Sequence, residues 1–101
     1  MKTFRSYRIA SEFYRAVKGL RLPDYLKDQL GRAASSIVLN LAEGSGRRTP
    51  KDKRRFYQMA FGSLRECQAV LDLMPEKDTE LVLTADKLGA HIYKLIQSLD
   101  C

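Results

Sequence analysis

The densest group of chemically active side chains in this sequence is the basic run RRTPKDKRR at residues 47–55. Its six cations are Arg47, Arg48, Lys51, Lys53, Arg54 and Arg55. Lys and Arg at the start of a helix can bind phosphates together with free backbone amides, and neutralising several phosphates gives salt-dependent affinity for nucleic acid. The run therefore predicts a nucleic-acid interface. The alternative interpretation is a solvated basic loop that holds nearby acids, for example through Glu43 and Arg47 at i,i+4 spacing.

A second polar group lies in the stretch SSIVLNLAEGSGRR at residues 35–48. Asn40 occupies a position where the helical spacing favours an aliphatic residue, and a buried amide without partners costs about 1–3 kcal/mol. The small residues at 44–46 would let another helix approach closely, and the stretch FGSLRE at residues 61–66 is the candidate for it. We therefore predict an internal polar cluster of Asn40, Glu43, Ser63 and Glu66. Its expected role is to fix the register of the two helices.

Patterns for catalysis and metal binding are missing from the sequence. Carboxylate-bridged metal sites in helical bundles use Glu-x-x-His motifs, and this chain has none. The single histidine, His91, is interpreted as a polar residue beside the apolar face of a helix. The serines at positions 35, 36 and 63 have no nucleophile-elbow context. We expect no enzymatic activity, no catalytic residue, no metal and no cofactor.

Length and composition favour one small globular domain over residues 1–101. Lys and Arg number 18 against 12 Asp and Glu, and the net charge of +6 should attract anions. Charges interrupt the N-terminal stretch MKTFRSYRIASEF, so we expect no signal peptide and no membrane span, and hence a cytoplasmic protein. The two cysteines form neither a disulfide framework nor a metal site. Cys67 is predicted to lie in the core, and Cys101 to be an exposed thiol.

Helices must position these residues, because apolar side chains recur at helical spacing throughout and strand patterns are nearly absent. The first helix has an apolar face that includes Phe13 and Val17, and it should end within residues 19–22. Pro23 suits the first turn of a second helix, which should end near Gly46.

Two further helices are marked by their boundaries. Thr49, Pro50 and Asp52 form an N-cap, a proline at the first helical position and an acid at the positive helix end, so the third helix should begin there. It should stop before Pro75. The fourth helix has a seam of Leu81, Ala85, Leu88, Ile92, Leu95 and Leu99.

Short connections between long helices constrain the architecture. A few residues cannot return the chain along a helix of roughly 30 Å, so consecutive helices should run in opposite directions. The sequence therefore predicts an all-α fold, an antiparallel up-down-up-down four-helix bundle. Val82, Gly89 and Ile96 widen the apolar strip of the fourth helix, and such a strip favours an oligomer.

Two motifs carry a resemblance to a known family. SSIVLNLAEGSGRR and, after a basic spacer, FYQMAFGSLRE are similar to the family pattern S-I-x-x-N-I-A-E-G followed by A-x-G-S-x-x-E. The chain resembles the bacterial four-helix-bundle proteins called 23S rRNA intervening sequence proteins. Phe4, the Leu22-Pro23 pair and the DQLGRA stretch extend the resemblance over almost the whole chain. Val38 departs from it, because many members have proline at that position.

This resemblance implies a ring-shaped homopentamer. It extends to the accessory proteins of diversity-generating retroelements, which partner a reverse transcriptase and bind nucleic acid. Two hypotheses follow for this chain. One is an oligomeric RNA or DNA binder that uses the basic run, with further positive surface from Arg5, Arg8, Arg15 and Lys18. The other is a protein-interaction scaffold, for example an accessory subunit of a reverse transcriptase.

Overall fold

Four α-helices make up the part of the chain that the structure describes. A computed structural model gives residues 2–99, without the side chain of Lys2. The helices are α1 (Lys2–Lys18), α2 (Asp24–Ser45), α3 (Pro50–Leu73) and α4 (Thr79–Gln97). No strand is present within residues 2–99. The all-α class and the four helices are therefore confirmed, whereas the predicted exposed thiol of Cys101 lies outside the described residues.

The helices pack in a closed circuit around one long axis. Within the described residues, the backbones of α1 and α2, α2 and α3, α3 and α4, and α4 and α1 lie close together, whereas the backbones of the two diagonal pairs lie farther apart. The principal dimensions are 42 × 20 × 18 Å. The cross-section is thus set by the four pairs of neighbouring helices.

The core forms where the apolar seams of the four helices meet. The α4 seam is buried as predicted from Leu81 to Leu95, and Phe13 and Val17 of α1 are also buried. Cys67 is fully buried in the same core, which confirms its predicted position. On α2 the prediction differs at one position, because Leu41 is buried completely while the neighbouring Asn40 is only partly buried.

Local signals set the helix boundaries. Thr49 caps α3, since its Oγ1 accepts a hydrogen bond from the Asp52 amide at 3.1 Å, and Pro50 is the first helical residue, as predicted. The α3 helix ends at Leu73, two residues before Pro75. Pro23 lies one position outside α2 and only its carbonyl joins the first turn. Proline tolerates this position because it has no N–H to satisfy.

Two features of the described residues bear on broad function classes. Within residues 2–99, no helix combines the length and apolar character needed to cross a membrane. The same part of the chain holds no group of three or more His, Cys, Asp or Glu side chains placed to share a metal ion.

Candidate nucleic-acid interface

The basic run forms the turn between α2 and α3 and the start of α3, and we call it the basic corner (residues 47–55). Gly46 ends α2 through its amide, which donates to the Glu43 carbonyl at 3.2 Å, and α3 begins four residues later. The Thr49 side chain occupies one of the free amides in the first turn of α3. Pro50 has no N–H and the Asp52 and Lys53 amides bond to Thr49, so the Lys51 amide and the positive end of the helix dipole face this corner.

The side chain of Lys53 makes its hydrogen bonds within the protein, at the end of α2. Its Nζ donates to the Ser45 carbonyl at 3.0 Å and to the Gly44 carbonyl at 3.4 Å. These carbonyls belong to the last turn of α2, where the helix dipole is negative, so a cation is favourable there. Lys53 therefore ties the start of α3 to the end of α2, and its charge is already partly compensated.

Arg47 and Arg55 both stack on one aromatic ring. Each guanidinium carbon lies 4.5 Å from the centroid of the Phe56 ring. Arg47 also pairs with Glu43 at 2.9 Å, the i,i+4 contact expected from the sequence. Arg55 is exposed, and the structure gives it no carboxylate partner among the described residues. Stacking on Phe56 restricts Arg55 while leaving its N–H groups free to point outwards.

Arg54 points away from the exposed side of the corner. Its Nη2 donates to the Leu99 carbonyl at 2.9 Å, just beyond the end of α4. Arg54 thereby links the start of α3 to the end of α4. Like Lys53, it is partly buried and serves the packing of the bundle.

Arg48 and Lys51 complete the basic run, and both are exposed. Neither side chain makes a hydrogen bond or an ion pair with another residue in the described range 2–99. The structure therefore divides the six predicted binding residues into two sets. Arg47, Lys53 and Arg54 hold the corner together, and Arg48, Lys51 and Arg55 present positive charge to solvent.

A close helix contact supports the corner from inside. A Cβ atom on Gly44 would lie 2.6 Å from Cε1 of Tyr57, so only glycine lets this buried ring sit against α2. The Tyr57 hydroxyl lies 3.2 Å from Oγ1 of Thr3 at the start of α1. Gly44 thus explains the glycine of the AEG motif: it allows one tyrosine to join three helices.

The predicted polar cluster is smaller than expected and centres on a residue outside the prediction. Asn40 donates through Nδ2 to the carbonyl and to Oγ of Ser36, at 2.9 and 3.0 Å, and Ser36 Oγ lies 2.8 Å from Ser63 Oγ. Asn40 and Ser63 are therefore brought together, as predicted. Glu43 and Glu66 are exposed and lie outside this cluster, because charged carboxylates retain their hydration at the surface.

Sequence reasoning missed Ser36 and Phe56. Ser36 precedes Asn40 by four residues, and that spacing places two side chains on one face of a helix, so the contact could have been anticipated. The Phe56 contact was harder to find, because Arg47 reaches the ring across the turn between two helices. In the sequence, the only sign of stacking on Phe56 is that Arg55 is its chain neighbour.

The buried thiol of Cys67 is not a reactive nucleophile. Burial raises the pKa of the Cys67 thiol to about 12, with a further contribution from the negative charge of Glu66. The thiolate is the nucleophilic form of cysteine, so Cys67 stays protonated and unreactive at neutral pH.

Comparison with known proteins places the chain in a family. Residues 4–100 match the family model described as 23S rRNA-intervening sequence protein. No curated protein shows significant similarity to the chain. The matched region includes all of α2, α3 and α4 and all but the first two residues of α1. The chain is therefore a member of the 23S rRNA-intervening sequence protein family.

Proposed function

We propose that this protein is a non-enzymatic, oligomeric helical bundle that binds nucleic acid, preferentially structured RNA, through the basic corner. The observation that carries the proposal is the exposed set Arg48, Lys51 and Arg55, which the fold presents without carboxylate partners among the described residues. These cations surround the first turn of α3, whose Lys51 amide and helix dipole also favour phosphate. RNA is the favoured ligand because the family description refers to a ribosomal RNA.

The proposal includes an arrangement of the helices and of the subunits. Contacts between α2 and α3 join Gly44 to Tyr57 and Ser36 to Ser63, and this order supports an antiparallel, up-down-up-down bundle. We propose a cytoplasmic homo-oligomer, with the family's pentamer as the specific expectation. Sedimentation velocity of the purified protein tests the subunit number directly.

The decisive experiment compares two variants that each lose three positive charges. One variant carries Arg48→Gln, Lys51→Gln and Arg55→Gln, and the other carries Arg21→Gln, Arg32→Gln and Lys87→Gln at exposed positions outside the corner. Binding to an RNA hairpin, an RNA duplex, a single strand and a DNA duplex is measured over a salt series. Arg47 and Arg54 are left intact, because their contacts hold the fold together.

We expect the corner variant to bind RNA at least about tenfold more weakly and with a shallower salt dependence, since each lost phosphate contact reduces the slope of log K against log salt by about 0.9. The control variant should retain most of the affinity. An equal loss of RNA affinity in both variants would mean that binding depends on the total positive charge and not on the basic corner. Failure of the wild-type protein to bind any nucleic acid at low salt would remove the proposal.

The alternative function is a protein-interaction scaffold, for which a reverse transcriptase is the candidate partner. A specific observation favours it: large apolar side chains remain exposed, including Phe4 at 60% and Leu39 at 66% of their surface. Phe4 and Tyr7 of α1 line an open groove with Leu41 and Ala42 of α2. Exposed apolar patches of this kind mark sites of protein contact.

The two functions differ in their response to salt. Apolar burial on a protein partner is largely insensitive to salt, whereas phosphate binding weakens steeply. The variant Phe4→Ser with Leu39→Ser should therefore abolish a scaffold interaction and leave RNA binding unchanged. Loss of RNA binding in this variant, with the fold and subunit number intact, would contradict the separation of the two surfaces.

A further inference from the structure

A second concentration of positive charge lies outside the basic corner, in a groove of about 420 Å³ between α1 and α4. Its walls carry three cationic or titratable side chains: Arg5 from α1, and His91 and Lys94 from α4. The rest of the lining is polar or aliphatic and includes Ser6 and Ser98. Among the described residues, no carboxylate lines this groove.

The charges in the groove act on one another. Burial holds the pKa of the His91 imidazole below its usual value of 6.5, and nearby positive charges lower it further. Those charges come from Arg5 on α1 and from Lys87 and Lys94 on α4. Like charges that converge without an acid repel one another, and an anion placed between them relieves that repulsion.

We infer that the groove between α1 and α4 is a phosphate-binding site, in which Arg5 and Lys94 supply the charge and His91 donates a hydrogen bond. The ligand class is a tetrahedral oxyanion, either a free phosphate or a phosphodiester of a bound RNA. The site is separate from the basic corner, so the inference goes beyond the proposed function. It is nevertheless at the same end of the bundle, because Arg54 of the corner contacts Leu99, next to Ser98.

His91 is the only histidine in the sequence, and it therefore provides a clean signal for this site. The pKa of His91 is measured by NMR titration of its ring protons in chloride, in sulfate of the same ionic strength, and with a short RNA. Sulfate is the probe for phosphate because its charge stays constant through the titration. We expect sulfate or RNA to raise the pKa of His91, since a bound anion favours the imidazolium.

Linkage gives the size of the expected effect. A rise of about one pH unit at saturation corresponds to about tenfold tighter anion binding by the protonated form of His91. Matching the ionic strength with chloride removes the rise that simple screening of Arg5 and Lys94 would cause.

A matched pair of variants makes the test specific. Arg5→Gln with Lys94→Gln should raise the pKa of His91 in chloride, because repulsion is removed, and should abolish the further rise in sulfate. Lys87→Gln should also raise the pKa in chloride but keep the response to sulfate, because Lys87 does not line the groove.

Each outcome decides the inference. A response to sulfate identifies a site for free phosphate, and a response to RNA alone identifies a site for a phosphodiester. No response to either probe would overturn the inference, and so would an undiminished response in the Arg5 and Lys94 variant. The basic-corner variant separates this result from the proposed function, because it should lose RNA affinity while its His91 still responds to sulfate.

Discussion

The basic corner and the turn between α3 and α4 are built in the same way and carry opposite charge. In each turn one side chain caps the following helix: Thr49 accepts from Asp52 N, and Asp78 accepts from Leu81 N at 3.0 Å. In each turn one lysine reaches back to carbonyls at the end of the preceding helix. Lys53 donates to the Gly44 and Ser45 carbonyls, and Lys77 to those of Asp72 and Met74.

The difference between these turns is their charge. The second turn, which we call the acidic corner (residues 72–80), holds four acids and one lysine: Asp72, Glu76, Asp78, Glu80 and Lys77. The basic corner holds six bases and one acid. A cap and one lysine are sufficient to build a turn of this kind, so the exposed Arg48, Lys51 and Arg55 are a surplus that construction of the fold does not require. A surplus of one sign costs self-repulsion, which supports a role for it in binding.

The largest expected effect tests whether the basic corner depends on its close helix contact. Gly44→Ala places a Cβ where the buried Tyr57 ring lies, and we expect it to lower the free energy of unfolding by about 1–3 kcal/mol. Gly62→Ala is the matched control. Its Cβ meets nothing within 4 Å, and removing a helical glycine should stabilise by about 0.5–1 kcal/mol. Denaturant unfolding measures both, and a Gly44→Ala protein as stable as Gly62→Ala would contradict the contact.

The next effect tests whether the two corners share one construction. Thr49→Ala and Asp78→Ala should each cost about 1 kcal/mol, the usual cost of losing an N-cap side chain. Asp78→Ala should cost slightly more, because it also removes a negative charge from the positive end of α4. The free energies of unfolding come from urea titrations. A large loss in one variant and none in the other would break the comparison between the corners.

Much of the fold could be predicted from the sequence because it depends on local signals. The N-cap of α3, the end of α3 before Pro75 and the burial of Cys67 each follow from residue type and spacing. The buried position near the middle of α2 does not follow from the sequence, because two adjacent positions, Asn40 and Leu41, both fit a helical seam, and only packing against a neighbour decides between them.

The candidate site could be located but not resolved from the sequence. All six bases of the corner looked equivalent, since a sequence does not reveal which cations bind carbonyls of other helices. Arg54 contacts a residue 45 positions away, and Lys53 contacts the preceding helix. Glu43 and Glu66 were placed inside because their spacing suggested it, but the cost of burying a charge keeps them at the surface.

A smaller effect tests the surplus itself. The variant with Arg48, Lys51 and Arg55 replaced by Gln should unfold within about 0.5 kcal/mol of the wild type, because exposed charges contribute little and the positive end of α3 does not stabilise cations beside its N-cap. Thermal and urea unfolding at two salt concentrations measure it. A loss comparable to that of Thr49→Ala would mean that the three charges belong to the construction of the corner, and their interpretation as a binding surface would lose its main support.

The smallest effect concerns His91, which lies at the same end of the bundle as the basic corner. Its pKa in the folded protein is lowered below 6.5, first by burial and then by the neighbouring positive charges. At a pH well above 6.5, His91 is unprotonated in both the folded and the unfolded chain. As the pH falls, the unfolded chain takes up the proton first, so stability decreases until the pH passes below the folded pKa. Unfolding measured from about pH 8 to about pH 5 should therefore show a larger decrease in the wild type than in His91→Gln.

Sulfate sharpens this last test. An anion in the groove between Arg5 and Lys94 would favour the imidazolium, so added sulfate should reduce the wild-type decrease toward that of His91→Gln. Chloride at the same ionic strength serves as the control for screening. Parallel curves for the wild type and His91→Gln would mean that the positive field at His91 is weak. The positive charge at this end of the bundle would then come from the basic corner alone. The groove between α1 and α4 would lack the positive potential needed to bind a phosphate.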